Sequence, residues 1–155
     1  MNKSTHYKSK SKSKSKSKSK SKSTYTTQHK MSTSATFVRV PVIKSIIDAD
    51  GTQRWYRDGN LHRDRDQPAV IYASGTQIWY RDGKRHRDGD HPAVICADGT
   101  QYWFCQGKCH RDGDQPALIC ADGTKAWYRD NNVHRDGDHP AVIYADGTQE
   151  WYRDG

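Results

Sequence analysis

The chain has 155 residues, of which 32% are hydrophobic, and its mean hydropathy is −1.12. This small number of apolar residues cannot build a large globular core. We therefore expect the folded part to be thin or modular. The net charge of +8 is unevenly divided: residues 1–36 hold ten Lys and no acidic residue, whereas residues 37–155 hold 16 basic and 18 acidic residues. The net charge therefore does not predict nucleic-acid binding by the folded part.

The N-terminus shows no targeting signal. No apolar segment typical of a signal peptide follows Met1, and no run approaches the roughly 18 apolar residues of a membrane-spanning helix. We therefore expect an intracellular location, cytoplasmic or viral. Four cysteines, at positions 96, 105, 109 and 120, crowd the middle of the chain, which is unlike a disulfide framework and indicates reduced thiols.

Residues 1–36 form a basic tail that we predict to be disordered. From Lys8 to Ser23 it consists of eight consecutive Lys-Ser dipeptides, which offer no apolar surface to offset the entropy of ordering the backbone. An extended chain places one Lys roughly every 7 Å, a spacing suited to salt-sensitive contact with nucleic-acid phosphates or anionic lipid. A purely solubilising extension is the alternative. The predicted binding residues are Lys8, Lys10, Lys12, Lys14, Lys16, Lys18, Lys20 and Lys22.

The remainder, residues 37–155, is a repeat with a period of 24 residues and no insertion or deletion. The consensus of the units is Pro-Ala-Val-Ile-Tyr, Ala-Asp-Gly, then Thr-Gln-x-Trp-Tyr, which places two β-prone runs around an Asp-Gly turn. We predict an all-β fold: hairpins stacked side by side into one elongated, single-layer antiparallel sheet. The sequence does not decide whether Lys-x-His-Arg forms a third strand in each unit. A capping strand is expected at about 37–43. The five hairpins are expected near residues 45–56, 69–80, 93–104, 117–128 and 141–152.

Glycine columns mark the turns. A glycine at the Asp-Gly turn occurs in all five units, as expected where φ must be positive. In the Arg-Asp-Gly turn after Trp-Tyr, Asn131 replaces the glycine of other units, which supports a left-handed position. A third column has Arg65 in place of glycine, so that turn is less strictly determined or lies at a frayed end. The glycines of the first column are Gly51, Gly75, Gly99, Gly123 and Gly147.

Two aromatic columns are the candidate core of the sheet. Burying a Trp contributes on the order of 4 kcal/mol, so a Trp ladder is expected to form the thin core, in preference to a stacking platform for bases or sugars. The residue before each Trp shows no pattern and is predicted to face water. The columns are Trp55, Trp79, Trp103, Trp127 and Trp151, followed by Tyr56, Tyr80, Phe104, Tyr128 and Tyr152.

These residues resemble the MORN-repeat family, in a variant form frequent in giant-virus and bacterial proteins. In one unit the resemblance is carried by Asp98-Gly99-Thr100, Trp103-Phe104, Gly107, His110-Arg111, Gly113 and Pro116-Ala117. It covers about residues 44–155. The order Thr-Gln-x-Trp-Tyr and the 24-residue period depart from the usual MORN unit. The resemblance implies a scaffold or interaction module, sometimes associated with membranes or dimerisation.

Three other groups of side chains are candidates for metal binding. A histidine recurs once per unit, at 62, 86, 110 and 134, but equivalent atoms in successive hairpins lie roughly 9–10 Å apart, too far to share one metal ion, so a structural role is expected. Cys105 and Cys109 flank a turn beside His110; a zinc site completed by Cys96 or Cys120 is the alternative to apolar filling. The Asp-Gly-Asp connectors are interpreted as charge-paired turns.

The sequence predicts no enzyme and no cofactor, because it contains no nucleophile elbow, phosphate loop or HExxH motif. The predicted function is a repeat scaffold for protein–protein interaction or self-association, with the tail tethering it to an anionic surface. The alternatives are a nucleic-acid-binding or packaging protein that acts through the tail, and a protein associated with a membrane surface. No small-molecule substrate is expected.

Overall fold

The computed structural model describes residues 22–26, for which only the backbone is considered, and residues 39–153. In these ranges every regular element is a β-strand. The strands in chain order are β1 (Lys22–Thr26), β2 (Ile43–Ile47), β3 (Gln53–Arg57), β4 (Asn60–Leu61), β5 (Val70–Ile71), β6 (Gln77–Ile78), β7 (Tyr80–Arg81), β8 (Lys84–Arg85), β9 (Val94–Ile95), β10 (Gln101–Tyr102), β11 (Phe104–Cys105), β12 (Lys108–Cys109), β13 (Leu118–Ile119), β14 (Lys125–Ala126), β15 (Tyr128–Arg129), β16 (Asn132–Val133), β17 (Val142–Ile143) and β18 (Gln149–Glu150).

One long antiparallel sheet carries the fold, which confirms the predicted fold class. Its strand order is β1-β2-β3-β5-β6-β9-β10-β13-β14-β17-β18, with β4 paired to β3 as its twelfth strand. The five predicted hairpins are the pairs β2–β3, β5–β6, β9–β10, β13–β14 and β17–β18. We number the units 1 to 5 by these hairpins.

Each hairpin turns at an Asp-Gly-Thr sequence, except in unit 2, where Ser74 replaces the aspartate. In unit 3 the Gly99 N–H donates to the Cys96 carbonyl at 3.0 Å, and the Cys96 N–H donates to the Thr100 carbonyl at 2.8 Å. Gly99 has a φ of 92°, which only glycine adopts without strain. The Asp98 carboxylate accepts bonds from both the N–H and the hydroxyl of Thr100. The recurring Asp-Gly-Thr sequence is therefore explained by one turn geometry.

A second hairpin follows each Trp-Tyr in units 1 to 4 and extends the predicted unit. In units 2 to 4 it forms a separate two-stranded sheet, namely β7–β8, β11–β12 and β15–β16. The third strand, which the sequence did not decide, is therefore present in these units, and it ends just before each His. Successive second hairpins are joined by backbone bonds, such as the Gly107 N–H to the Arg85 carbonyl at 2.9 Å.

The structure differs from the predicted domain boundaries at the N-terminus. Residues 39–42 form no strand where a capping strand was expected, and Pro41, which lacks an N–H, interrupts that segment. Instead β1, from within the predicted disordered tail, pairs with β2 in register from Lys22–Ile47 to Thr26–Ile43. The Thr-Tyr-Thr sequence of β1 has high β propensity.

The prediction that the residue before each Trp faces water is wrong in two units. Ile78 is 6% exposed and Ala126 is 4% exposed. Ile78 lies opposite Val70 and Val94 in the sheet and forms an apolar cluster with them. Because alternate residues face opposite sides of a strand, this cluster lies on the face away from the Trp side chains. The sheet therefore buries apolar residues on both faces.

Arg65 offers a test of backbone strain. Its φ is 63°, close to the 71° to 75° of the glycines in the same column, so the turn has the same left-handed conformation without glycine. We expect Arg65→Gly to raise the free energy of unfolding by about 0.5–1 kcal/mol, because relief of strain exceeds the added chain entropy. Urea unfolding would measure it.

The reverse substitution is the control for Arg65→Gly. A Cβ added at Gly113 meets nothing within 4 Å, so Gly113→Arg adds backbone strain without a clash. It should lower stability by a similar amount. Equal stability of both variants and the native chain would contradict strain at this turn.

Candidate functional site

The Trp column lies where the two rows of hairpins meet. In unit 3 the backbone N–H of Trp103 donates to the Ala117 carbonyl of the next unit at 2.8 Å. The backbone carbonyl of Trp103 accepts from the His110 N–H at 3.2 Å. Trp79, Trp103 and Trp127 are 6–7% exposed, in agreement with the predicted core position. This burial disfavours a stacking platform for bases or sugars.

The two aromatic side chains of unit 5 are exposed. Trp151 is 56% exposed and Tyr152 is 39% exposed, unlike their equivalents in the middle units. In units 2 to 4 an arginine of the connector that follows the Trp covers its ring. The predicted core position therefore does not hold for these two residues. Tyr80, Phe104 and Tyr128 are half-buried.

An arginine stacks on each of the first four Trp rings, which the sequence analysis missed. The guanidinium carbon of Arg111 lies 4.0 Å from the Trp103 ring centroid. Its Nε and Nη2 donate to the two carboxylate oxygens of Asp90, in the preceding connector, at 2.6 and 2.7 Å. Its Nη1 donates to the Pro116 carbonyl at 3.2 Å. The equivalent stacked pairs are Arg63 on Trp55, Arg87 on Trp79 and Arg135 on Trp127.

We call this arrangement the Arg–Trp ladder. Arg87 pairs with Asp66 and Arg135 with Asp114 in the same two-pronged way, always 21 residues apart. Hydrogen bonds from these guanidinium groups hold the pKa values of the Asp66 and Asp114 carboxyls below their ordinary range. The signal available in the sequence was the Arg that follows every recurring His.

The recurring histidines link adjacent units, as their expected structural role requires. Nδ1 of His62 accepts the Asp82 N–H at 3.1 Å, and Nδ1 of His86 accepts the Gln106 N–H at 3.3 Å. Their Nε2 atoms therefore carry the proton and donate to Asp64 and Asp88. His110 differs, since its buried Nδ1 has no partner in the described part of the chain.

Three equivalent clefts lie between successive connectors. Cleft 1 lies between residues 62–66 and 86–91, cleft 2 between 86–91 and 110–112, and cleft 3 between 110–115 and 134–139. Cleft 3 is the largest, at about 550 Å³. Each cleft is lined by His, Arg and Asp side chains and by the edge of a buried Trp.

The clefts differ where Cys105 replaces an arginine. In units 2 and 4 the arginine at this position pairs with the connector aspartate, as Arg129 does with Asp136. Bonds from Arg129 and His134 lower the pKa of Asp136 to about 2. In unit 3 the equivalent aspartate, Asp112, is 99% exposed and contacts His110. Cleft 2 therefore presents a thiol and a carboxylate without that arginine.

The cysteines do not converge. Cys109 pairs with Phe104 and Cys105 with Lys108, so the two thiols lie on opposite sides of the second hairpin. Cys109 is 8% exposed, and burial raises the pKa of its thiol to about 11. Across residues 39–153, no three His, Cys, Asp or Glu side chains are placed to hold a metal ion. All four thiols are free in the structure.

The tail residues predicted to bind anions fall outside this site. Lys8 to Lys20 lie outside the described residues, and Lys22 lies in β1, where only the backbone is described.

In the described ranges no helix is long and apolar enough to cross a membrane. Comparison with known proteins gives no matching family, no matching relative and no matching solved structure.

Proposed function

We propose that this chain is a non-enzymatic repeat scaffold that docks an extended protein segment along the three clefts, while its Lys-Ser tail tethers it to an anionic surface. The observation that carries the proposal is the repetition of a cleft between successive connectors, each lined by the recurring His-Arg-Asp sequences and a Trp. A row of equivalent sites is how repeat proteins build long binding surfaces.

The spacing of the clefts favours an extended peptide. Successive units are two strand spacings apart, about 9–10 Å. A polyproline II segment advances about 9.3 Å in each three-residue turn, so every third residue of such a segment would meet an equivalent cleft. The mixed Arg, His and Asp lining favours a partner with both donors and acceptors. The protein that docks could also be a second copy of this chain, which would make the interaction a self-association.

The resemblance to MORN-repeat variants supports the same function, and we propose membership of that family on the residues quoted above. The sheet of hairpins repeated every 24 residues agrees with this proposal. An intracellular location, cytoplasmic or viral, remains part of the proposal.

A pull-down with the full chain tests the docking role. Asp112→Lys changes the charge of cleft 2 at a residue that is 99% exposed, so the fold should tolerate it. Ser74→Lys introduces the same side chain, with a charge change of one unit instead of two, at the Ser-Gly-Thr turn at the other end of the hairpins, as a control. A partner that binds the clefts should be lost with Asp112→Lys and kept with Ser74→Lys. Equal capture by both variants would refute docking at the clefts.

The tail is tested by its dependence on salt. We expect the full chain to bind labelled DNA and anionic vesicles with an affinity that falls steeply as salt increases, because each Lys–phosphate contact releases counterions. A full-length variant with Gln at the eight predicted Lys positions should lose this binding. Binding to DNA alone would favour the nucleic-acid alternative, binding to vesicles alone the membrane-surface alternative, and no binding a solubilising tail.

A further inference from the structure

We propose that the joint between units 2 and 3 is an acid-sensitive hinge, in which protonation of His86 breaks the contact with Gln106. Beside the β6–β9 pairing of the main sheet, two neighbouring hydrogen bonds join the second hairpins of these units: the Gln106 N–H donates to Nδ1 of His86 at 3.3 Å, and the Gly107 N–H donates to the Arg85 carbonyl at 2.9 Å. The inference concerns the fold and stands whether or not the clefts bind a partner.

The hydrogen-bond geometry fixes the protonation state that this joint needs. A backbone N–H can only donate, so Nδ1 of His86 must be unprotonated to accept from Gln106. The ring proton then lies on Nε2, which is 3.0 Å from Oδ1 of Asp88. A second proton would place an N–H on Nδ1 facing the Gln106 N–H, so the bond across the joint would be lost.

Gln106 makes this joint different from the one before it. At the joint between units 1 and 2, Asp82 occupies the equivalent position, and its Oδ1 lies 3.1 Å from Nδ1 of His62. Arg57 donates to the same Oδ1 at 2.9 Å, so the joint at His62 carries an ion pair that the Gln106 side chain does not form. Gln106 brings no charge to His86, so the bond there is lost without ionic compensation.

The charges around His86 also oppose its protonation. On its own unit, Nη1 of Arg81 lies 3.4 Å from Nε2 of His86. The nearby Asp88 carboxylate is already paired with that guanidinium. The next unit contributes the uncharged Gln106 at the turn. The His86 side chain is 12% exposed, and its burial, together with Arg81, lowers the pKa of the imidazole from its ordinary value of 6.5.

The effect on stability has a definite sign. The unfolded chain protonates His86 near pH 6.5, whereas the folded chain protonates it only at lower pH. Below pH 6.5 the unfolded state therefore binds more protons, and the contribution of this joint to stability falls as the pH drops toward the folded pKa. His86 lines both cleft 1 and cleft 2, so loss of this bond changes the wall that the two clefts share.

The test is an NMR pH titration of the histidine rings in the full chain. We expect His86 to titrate below 6.5, and Gln106→Asp to raise its midpoint by about one pH unit, because the new carboxylate reproduces the arrangement at His62. Aspartate occupies this position in units 1, 2 and 4, so the variant should fold.

Amide hydrogen exchange provides the second readout. Protection of the Gln106 and Gly107 amides should fall about tenfold more than that of Asp82 and Gly83 between neutral and mildly acidic pH. His86→Asn keeps an acceptor near Nδ1 that does not titrate, and should abolish this difference. A His86 midpoint at or above 6.5, or one that Gln106→Asp leaves unchanged, would overturn the inference.

Discussion

Replacing Trp103 with alanine is expected to lower the free energy of unfolding by about 3–5 kcal/mol, the range observed for loss of a buried Trp. Trp103 is 6% exposed and packs with Cys109, Ala117 and Ile119 on the face that carries the Arg–Trp ladder. The substitution leaves a cavity and removes the ring under Arg111. Urea unfolding followed by circular dichroism would measure the loss.

Trp151→Ala is the matched control for this substitution. The same residue type occupies the same position in the unit, but its side chain is 56% exposed. We expect a loss of about 1 kcal/mol, because little apolar area leaves water at this position. Equal losses at Trp103 and Trp151 would show that burial in the middle units does not determine the contribution of the Trp column.

Arg111→Ala is expected to cost about 2–3 kcal/mol, the second largest effect. The side chain is 13% exposed, stacks on Trp103 and makes a two-pronged ion pair with Asp90. Stacking on the ring contributes about 1 kcal/mol and the charge-assisted bonds the remainder, reduced by the 65% exposure of Asp90. Thermal or urea unfolding of the full chain would measure it.

Arg63→Ala separates the two contributions. Arg63 lies 3.7 Å from the Trp55 ring centroid and donates to the Pro68 carbonyl at 3.2 Å, as Arg111 does at its own site. Within the described residues it has no partner equivalent to Asp90, because Val42 stands 21 residues before it. Its loss should be smaller by about 1 kcal/mol, and added salt should reduce the difference. A larger loss for Arg63→Ala would contradict a stabilising role of the pair with Asp90.

The ladder also explains why arginine is required at this position. Lysine at 111 would keep the charge but lose the planar fork that matches the Asp90 carboxylate and lies flat on the Trp103 ring. The fork joins two connectors that are adjacent in space, so each unit holds its neighbour through a side chain as well as through the sheet.

Local sequence determined the repeating hairpin. The Asp-Gly-Thr turn needs a positive φ at Gly99 and a carboxylate at Asp98, and both requirements lie within five residues of chain. Alternation and β propensity placed the flanking strands, since each strand of a hairpin pairs with a neighbour a few residues away. Period, turn positions and sheet topology were therefore predictable.

The tertiary structure alone decided which side chains meet across units. Arg111 and Asp90 are 21 residues apart, and Ile78 is buried although its column holds Arg, Tyr, Ala and Glu in other units. Such contacts depend on how one unit stacks on the next, which a local pattern does not encode. The sequence by itself thus determined the repeated hairpins, whereas the Arg–Trp ladder, the clefts and the His86 joint arise only when neighbouring units bring distant charges together.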